Sequence, residues 1–308
     1  MMKILIFGSS GLVGSSLVNN LSKIITNSEI FPSTRDDTDL FSASDTLKKI
    51  ELTNPDVVIN AAAKVGGIQA NNTQRTEFIL DNLKININIL ESLISFENVK
   101  VINLGSSCIY PLGADVPIKE NSLLTGKLEP TNSPYAMAKL TAIEIGDAIT
   151  KQFGHKIINL MPTNLYGPND NFSEINSHVI PGLIHRMHNA KINNDSTFEV
   201  WGTGKPLREF MHVDDLTNAI GYILKNDLFS EQVLNVGSNE EISINDLVLK
   251  IKNVINYEGE IIFNTSMPDG NPRKLLDSTK LISKGWKPVI NLSEGLSSVY
   301  KWYLKNKV

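Results

Sequence analysis

The sequence contains little cysteine and no long apolar run. Cys108 is the only cysteine among 308 residues, which excludes an internal disulfide and a metal site built from several cysteines. No apolar stretch approaches the roughly 20 residues of a membrane span. The first residues lead directly into a glycine loop and not into a signal-peptide cleavage site. We therefore expect a soluble, cytoplasmic protein in which Cys108 acts, if it acts at all, as a thiol.

Clustered positive charge is also lacking. The formal net charge is −4, and the basic residues form no run or stripe, so the electrostatic footprint of a protein that binds nucleic acid or an anionic membrane is missing. Apolar residues make up 41% and charged residues 20%, which is typical of a globular protein with a sizeable core. Any anion must therefore be bound by a local site.

Short apolar runs alternate with segments of helical spacing through the first half of the chain. This alternation predicts βαβ units, and hence a parallel sheet covered by helices on both faces. We predict an α/β fold with a Rossmann-like, doubly wound parallel sheet. The predicted strands are 3–7, 56–60, 99–104 and 156–160, and the predicted helices are 12–25, 81–93 and 134–153.

The second half has a less regular pattern, which predicts a smaller C-terminal substrate-binding lobe. Ser243 has the position of an N-cap before a periodic apolar segment. We expect residues 1–168, with return segments near 208–237, to form the nucleotide-binding domain, and 169–207 with 238–308 to form the lobe. Predicted elements here are helices 180–190, 244–254 and 292–304 and strands 198–201 and 233–236.

Three glycines follow the first predicted strand and open the first predicted helix. In this context glycines permit a tight turn, and a pyrophosphate can approach the free N–H groups at the helix start. The alternative is an ordinary strand-to-helix turn. The loop predicts a dinucleotide site that includes Gly8, Ser9, Ser10, Gly11, Leu12, Val13 and Gly14.

A further strand is expected between the predicted helix 12–25 and Arg35, and the residues after it bear on the choice of dinucleotide. The spacing G-x-x-G-x-x-G is typical of short-chain reductases. Arg35 can pair with the 2′-phosphate of NADP, whereas the aspartates at 36, 37 and 39 would instead favour NAD. We favour NADP(H) because of Arg35.

A tyrosine and a lysine lie one helical turn apart just after Pro134. An ammonium near Tyr135 would favour its phenolate, making the tyrosine a better proton donor and acceptor near neutrality. Ser106 lies at the end of a predicted strand, where it can bond a substrate carbonyl beside that tyrosine. With the glycine loop, Ser106, Tyr135 and Lys139 predict a hydride-transfer site, and the alternative is an amphipathic surface helix.

Longer strings resemble the GDP-L-fucose synthase family of extended short-chain dehydrogenases/reductases. The similarity extends over essentially the whole chain. The strings that carry it are 61–68 (AAAKVGGI), 105–111 (GSSCIYP), 128–132 (LEPTN), 161–172 (MPTNLYGPNDNF), 176–181 (NSHVIP), 201–210 (WGTGKPLREF), 268–270 (PDG) and 272–277 (PRKLLD).

The resemblance implies roles for individual residues. Ser106, Tyr135 and Lys139 would form the reductive triad, and Cys108 and His178 an acid/base pair that epimerises C3 and C5. Further cofactor contacts would be Ala61, Ala62, Ala63, Leu104, Ser106, Lys139, Pro162, Asn164, Leu165 and His178. The substrate contacts would be Ser107, Asn164, Arg186, Trp201, Arg208 and Asp269.

Competing interpretations accompany several of these residues. Cys108 could be a small buried hydrophobe, His178 a satisfied loop histidine, and Trp201 and Phe210 core residues. We expect no metal, because His185 and His188 lack a third ligand.

The resemblance implies NADPH-dependent reduction at C4, with 3,5-epimerisation, of a GDP-linked 4-keto-6-deoxy sugar, by a homodimer. The first alternative is a reductase without epimerisation, acting on a GDP-4-keto-6-deoxy-heptose or a related capsule sugar. The second is a non-catalytic dinucleotide sensor, which would have no reason to keep serine, tyrosine and lysine together.

Overall fold

The computed structural model describes residues 1–173, 177–267 and 269–308. Asn176 and Pro268, which belong to the family-like strings, lie outside the described residues. The first half contains β1 (Met2–Phe7), α1 (Leu12–Ile24), β2 (Ser28–Ser33), α2 (Ala43–Thr53), β3 (Val57–Asn60), α3 (Ile68–Thr73), α4 (Arg75–Leu93), β4 (Lys100–Leu104), α5 (Ser133–Phe153) and β5 (Ile157–Pro162).

The second half mixes short strands with helices. It contains β6 (Asn164–Tyr166), α6 (Val179–Ile192), β7 (Thr197–Trp201), β8 (Leu207–His212), α7 (Val213–Lys225), β9 (Val233–Val236), β10 (Glu241–Ser243), α8 (Ile244–Ile255), β11 (Glu260–Asn264), β12 (Arg273–Lys274), α9 (Thr279–Ser283) and α10 (Leu292–Asn306).

The main sheet has six strands in the order β2-β1-β3-β4-β5-β9, and all its neighbouring pairs are parallel. One apolar cluster packs α1 and α7 on one face, and another packs α2, α4 and α5 on the other. Burial on both faces explains why the central strands are nearly continuous apolar runs. The predicted Rossmann-like, doubly wound fold is confirmed, and the carboxyl ends of all six strands lie at one edge.

A second apolar core lies outside the main sheet. It brings together side chains of α6, α8 and α10 with those of β7. Beside it, β8 pairs with β6, β10 and β12, and β7 pairs with β11. No helix in the described ranges combines the length and apolarity that a membrane crossing requires.

The predicted strands and helices are confirmed, with small differences in their ends. Ser243 caps α8 by accepting a hydrogen bond from the backbone N–H of Asp246 at 3.0 Å. Helix α4 begins at Arg75, earlier than the predicted start at residue 81. The prediction missed α7 because β8 continues into it at His212 and Val213 with no glycine or proline between them. It missed α2 because few of its positions are apolar.

Candidate active site

The glycine loop is built by close backbone packing at the end of β1. Gly8 has φ 76°, and a Cβ atom there would come within 2.7 Å of the Ala62 backbone. A Cβ at Gly14 would overlap the Gly8 carbonyl oxygen and lie 2.6 Å from the Ser9 Cα. Both positions therefore need glycine, which allows the start of α1 to lie directly against the end of β1.

The start of α1 suits a phosphate group. Gly11 is the N-cap and offers no side-chain acceptor, and the first turn has no acidic residue, so its N–H groups and the positive end of the helix dipole remain available to an anion. Ser9 Oγ is buried and has no hydrogen-bond partner in the described part of the chain. An unpaired buried hydroxyl beside free N–H groups fits the pyrophosphate of a dinucleotide. Ser10 is exposed at the rim of this loop.

Arg35 lies just beyond β2, exposed to solvent, and no carboxylate within residues 1–173, 177–267 or 269–308 forms an ion pair with it. Asp37 accepts hydrogen bonds from the backbone and hydroxyl of Thr34 at 2.8 and 2.7 Å, and these bonds lower its pKa. Asp39 accepts from the backbone of Phe41 at 2.9 Å. Two of the aspartates thus stabilise local turns, while the guanidinium remains available for a phosphate.

A row of buried asparagines crosses the main sheet next to residues 61–64, a second segment predicted to contact the cofactor. Asn60 Nδ2 donates to Asn103 Oδ1 at 2.9 Å, and Asn103 Nδ2 donates to Asn159 Oδ1 at 3.0 Å. The residues are in register on β3, β4 and β5. Asn60 Oδ1 also accepts from the Ala62 backbone at 3.1 Å. The row therefore fixes the start of the 61–64 segment.

The far end of that segment is held by α4. Asn82 is fully buried; its Oδ1 accepts from the Lys64 backbone N–H at 3.1 Å and its Nδ2 donates to the Lys64 carbonyl at 3.0 Å. Ala61, Ala62 and Ala63, the predicted cofactor contacts, lie between these two fixed points at the carboxyl end of β3.

The tyrosine and lysine lie in the first turns of α5, which begins at Ser133 with Pro134 next. Lys139 is 2% exposed, and its Nζ lies 5.9 Å from the Tyr135 ring centroid. The same Nζ donates a 2.7 Å hydrogen bond to the Leu104 carbonyl at the end of β4. A buried lysine directed at a strand end contradicts the surface-helix alternative. Burial lowers the pKa of Lys139 to about 8.

The pKa of Tyr135 is raised, so the nearby Lys139 ammonium does not bring the phenol closer to ionisation near neutrality, as the sequence-based expectation had it. Desolvation of the hydroxyl is the main cause, the neighbouring Cys108 adds to it, and a hydrogen bond with Ser106 acts in the opposite direction. The direction of this pKa shift depends on side-chain packing, which the spacing of residues in the sequence does not reveal. Tyr135 therefore stays protonated near neutrality and holds the proton that a donor needs.

Ser106 and Cys108 lie on the turn that follows β4. Ser106 Oγ accepts from the backbone N–H of Cys108 at 3.2 Å and so caps the short 3-10 helix Ser107–Ile109. Cys108 is half-buried, not the fully buried hydrophobe of the alternative. Its Sγ lies 3.8 Å from Lys274 Nζ. The neighbouring Ser107 is almost completely buried.

The segment after β5 reaches the same edge of the sheet. Pro162 ends β5, and Asn164 and Leu165 begin β6. Asn164 Nδ2 donates to the Glu209 carbonyl at 2.7 Å, and Thr163 Oγ1 donates to the same oxygen at 3.2 Å. This segment, which contains the predicted cofactor contacts Pro162, Asn164 and Leu165, is thus anchored to β8.

His178 precedes α6 as its N-cap residue. Its side chain is 47% exposed, and its Nδ1 lies 3.8 Å from Asp170 Oδ1. Asp170 is buried, and its other oxygen has no hydrogen-bond partner among the residues that the structure describes. His178 therefore faces a carboxylate, and no described hydrogen bond joins it to Cys108.

The predicted substrate residues include a group around β8. Asp269 accepts hydrogen bonds from the Thr203 backbone and hydroxyl at 2.6 and 2.7 Å, and these bonds lower its pKa. Burial lowers the pKa of Arg208, and the nearby Asp269 opposes that effect. Arg208 and Asp269 therefore interact electrostatically, while the carboxylate is held by hydrogen bonds from Thr203.

Arg186 of α6 contacts β7, the strand that ends at Trp201. The Arg186 guanidinium carbon stands 5.2 Å from the Phe198 ring centroid, and its NH1 donates to the Glu199 carbonyl at 3.4 Å. Trp201 is 59% exposed at the end of β7, so the core alternative is wrong for it, whereas Phe210 is buried in the core.

Two further histidines make hydrogen bonds to tyrosines. His185 Nδ1 and His188 Nδ1 lie 2.9 and 3.0 Å from the hydroxyls of Tyr303 and Tyr300. Within the described ranges, no group of three or more His, Cys, Asp or Glu side chains is arranged to hold a metal ion.

Three side chains at this edge had no role in the sequence analysis. Lys274 contacts Cys108, Asp170 faces His178, and Asn82 fixes the 61–64 segment. Lys274 and Asp170 lie within the family-like strings, which was a signal, but only the fold reveals what they contact. For Asn82 the signal was its polar side chain at a helix position where the spacing predicts an apolar one.

A glycine loop at the carboxyl end of β1, together with the half-buried Tyr135 and the buried Lys139 one helical turn apart, is the arrangement of a dinucleotide-dependent oxidoreductase. The chain belongs to the NAD dependent epimerase/dehydratase family, whose model matches residues 4–237.

Individual relatives narrow the comparison. The chain is 48% identical to GDP-L-fucose synthase 1 of Arabidopsis thaliana over 305 residues, which cover 99% of the chain and 94% of the relative. It is 41% identical to GDP-L-fucose synthase of Escherichia coli, with 99% and 97% covered. A GDP-mannoheptose C4 reductase from Campylobacter jejuni, solved with NADP bound, superposes with a TM-score of 0.88 at 33% identity, with 98% of each chain covered.

Proposed function

We propose that this protein is an NADPH-dependent enzyme that epimerises C3 and C5 of a GDP-linked 4-keto-6-deoxy sugar and reduces its C4 ketone. The observation that carries the proposal is the convergence of Tyr135, Lys139, Ser106 and Cys108 on the carboxyl end of β4. Full-length similarity to GDP-L-fucose synthases supports the choice of sugar.

The cofactor would lie along the carboxyl edge of the main sheet. Its pyrophosphate fits the start of α1, where Ser9 Oγ lacks a partner in the described part of the chain, and Arg35 would hold the 2′-phosphate. The 61–64 segment, Leu104 and the 162–165 segment would line the rest. When bound, NADPH supplies the hydride that C4 receives.

The reduction needs a proton for the C4 oxygen. Because its pKa is raised, Tyr135 holds that proton near neutrality and would donate it to the oxygen, while Ser106 hydrogen-bonds the same carbonyl. The Lys139 ammonium would stabilise the resulting phenolate, because its Nζ lies 5.9 Å from the centroid of the Tyr135 ring. A fixed cation is thus present where negative charge develops.

The epimerisation uses the acidity that the C4 ketone gives to its neighbouring C–H bonds. Cys108 as a thiolate would take the proton from carbon, leaving a thiol and an enolate, and His178 as an imidazolium would protonate the opposite face. Asp170, 3.8 Å from His178 Nδ1, would hold the imidazole in place.

Arg186 and Arg208 would bind the diphosphate of the GDP group, since guanidinium groups match phosphate oxygens. Trp201, exposed beside the 202–205 turn, offers a ring face to the substrate. Asp269 would act at the guanosine or ribose, and Ser107 and Asn164 near the sugar.

The proposed domain division is 1–168 with 208–237 against 169–207 with 238–308. A homodimer, a cytoplasmic location and a capsule sugar stay predictions.

A second candidate is reduction of a GDP-linked heptose without epimerisation. The Campylobacter jejuni neighbour is a GDP-mannoheptose C4 reductase, which favours this alternative. The presence of Cys108 beside Tyr135 favours the epimerase.

Incubation with GDP-4-keto-6-deoxy-mannose and NADPH tests the proposal. We expect equimolar NADPH oxidation and a 6-deoxyhexose product inverted at C3 and C5. In heavy water without NADPH, we expect deuterium at both carbons. Reduction without deuterium exchange would establish the reductase-only alternative, and no turnover of either kind would refute the proposal.

A further inference from the structure

Lys274 makes an unusual contact for a half-buried lysine. Its Nζ lies 3.8 Å from Cys108 Sγ, and no carboxylate in the described ranges forms an ion pair with it. An ammonium that is partly withdrawn from water requires a compensating partner. Within the residues that the structure describes, the partner shown for this ammonium is the Cys108 thiol.

The backbone on the lysine side of this contact is fixed from two directions. Strand β12 pairs with β8, with Lys274 opposite Arg208. Two residues further on, the Leu276 backbone N–H donates to the buried Glu209 carboxylate at 3.0 Å. The Ile118 backbone N–H donates to the Leu275 carbonyl at 2.8 Å.

Both partners are also tied to one buried asparagine. Tyr110, two residues after Cys108, donates its hydroxyl proton to Asn235 Oδ1 at 2.5 Å. Asn235 Nδ2 donates to the Asp277 carbonyl at 3.1 Å, three residues after Lys274. The two segments that carry the thiol and the ammonium are therefore held together in advance.

We propose that Lys274 is a positioning residue that holds Cys108 as a thiolate through their direct contact, which supplies the base for epimerisation. This inference rests on the function proposed above. A thiol beside a lysine ammonium ionises more readily than one in water, and the thiolate is the form that acts as a base or nucleophile. Tyr135 of α5 also interacts electrostatically with the thiol, and it remains protonated there.

Alkylation by iodoacetamide tests this without any sugar or cofactor, because Cys108 is the only thiol in the chain. The rate is compared near neutral pH for the wild type, Lys274→Gln, Lys274→Arg and the control Lys301→Gln, whose lysine is exposed on α10. We expect Lys274→Gln to react about tenfold more slowly, as the loss of an ammonium at this distance implies. The Arg variant and the control should react at nearly the wild-type rate.

The pH dependence of the alkylation rate separates an effect of the lysine charge from a change in the access of iodoacetamide to the thiol. As pH rises until the thiol is ionised in every variant, the rates of Lys274→Gln and wild type should converge. Equal rates at neutral pH would overturn the proposal, and so would a difference that persists at high pH, since that indicates altered access. Failure of the sugar assay alone would leave this result standing, because the two measurements share no substrate.

Discussion

The ammonium of Lys139 donates a 2.7 Å hydrogen bond to the carbonyl oxygen of Leu104. This bond joins α5 to the end of β4, where Ser106 and Cys108 follow. It places a cation near the Tyr135 ring in a region from which water is largely removed, where electrostatic interactions are stronger than in solvent.

The ionisation of Lys139 predicts a pH limit on reduction. Burial lowers its pKa to about 8, so the ammonium is lost as pH rises through that value. The raised pKa of Tyr135 leaves the phenol protonated over the same range. We expect kcat/KM for ketone reduction to fall above about pH 8 in the free enzyme. A profile that stays level well above that pH would contradict the role of this lysine.

The exposed guanidinium of Arg35 predicts that the protein binds NADPH more tightly than NADH. Loss of a charge-assisted contact with the 2′-phosphate costs about 10- to 100-fold in affinity. We therefore expect Arg35→Ala to raise the dissociation constant for NADPH by that factor and to leave the constant for NADH almost unchanged. NADH serves as the internal control, measured by fluorescence titration on the same preparation. An equal loss for both cofactors would show that Arg35 does not read the phosphate.

Two substitutions in the glycine loop distinguish its contribution to cofactor binding from its contribution to stability. A Cβ at Gly11 meets only the Gly8 carbonyl oxygen at 3.6 Å, an ordinary contact, whereas one at Gly14 overlaps the same oxygen. Gly11→Ala should cost about 1 kcal/mol or less of stability while weakening NADPH binding, because the methyl group fills the space for the pyrophosphate. Gly14→Ala should cost about 1–3 kcal/mol.

Thermal unfolding and NADPH titration of the two variants check this contrast. Undiminished NADPH affinity in Gly11→Ala would argue against a pyrophosphate at the start of α1. Equal loss of stability in both variants would contradict the packing described for Gly14.

Much of the main sheet could be predicted from sequence because its strands are apolar runs buried on both faces. Tyr135 and Lys139 could be paired because helical spacing is a local property. The contact between Lys274 and Cys108 could not be predicted, since 166 residues separate them and a two-residue strand, β12, brings them together. The pKa of Tyr135 could not be predicted either, because desolvation depends on the packing of neighbouring elements.

Single-turnover reduction by Tyr135→Phe tests the central claim most directly. The substitution removes the hydroxyl and retains the ring that lies 6.3 Å, between centroids, from Phe78. With GDP-4-keto-6-deoxy-mannose, we expect the rate of NADPH oxidation to fall about 100- to 10,000-fold, with NADPH affinity and thermal stability close to wild type. A variant that oxidises NADPH at the wild-type rate would contradict the assignment of Tyr135 as the proton donor to the sugar.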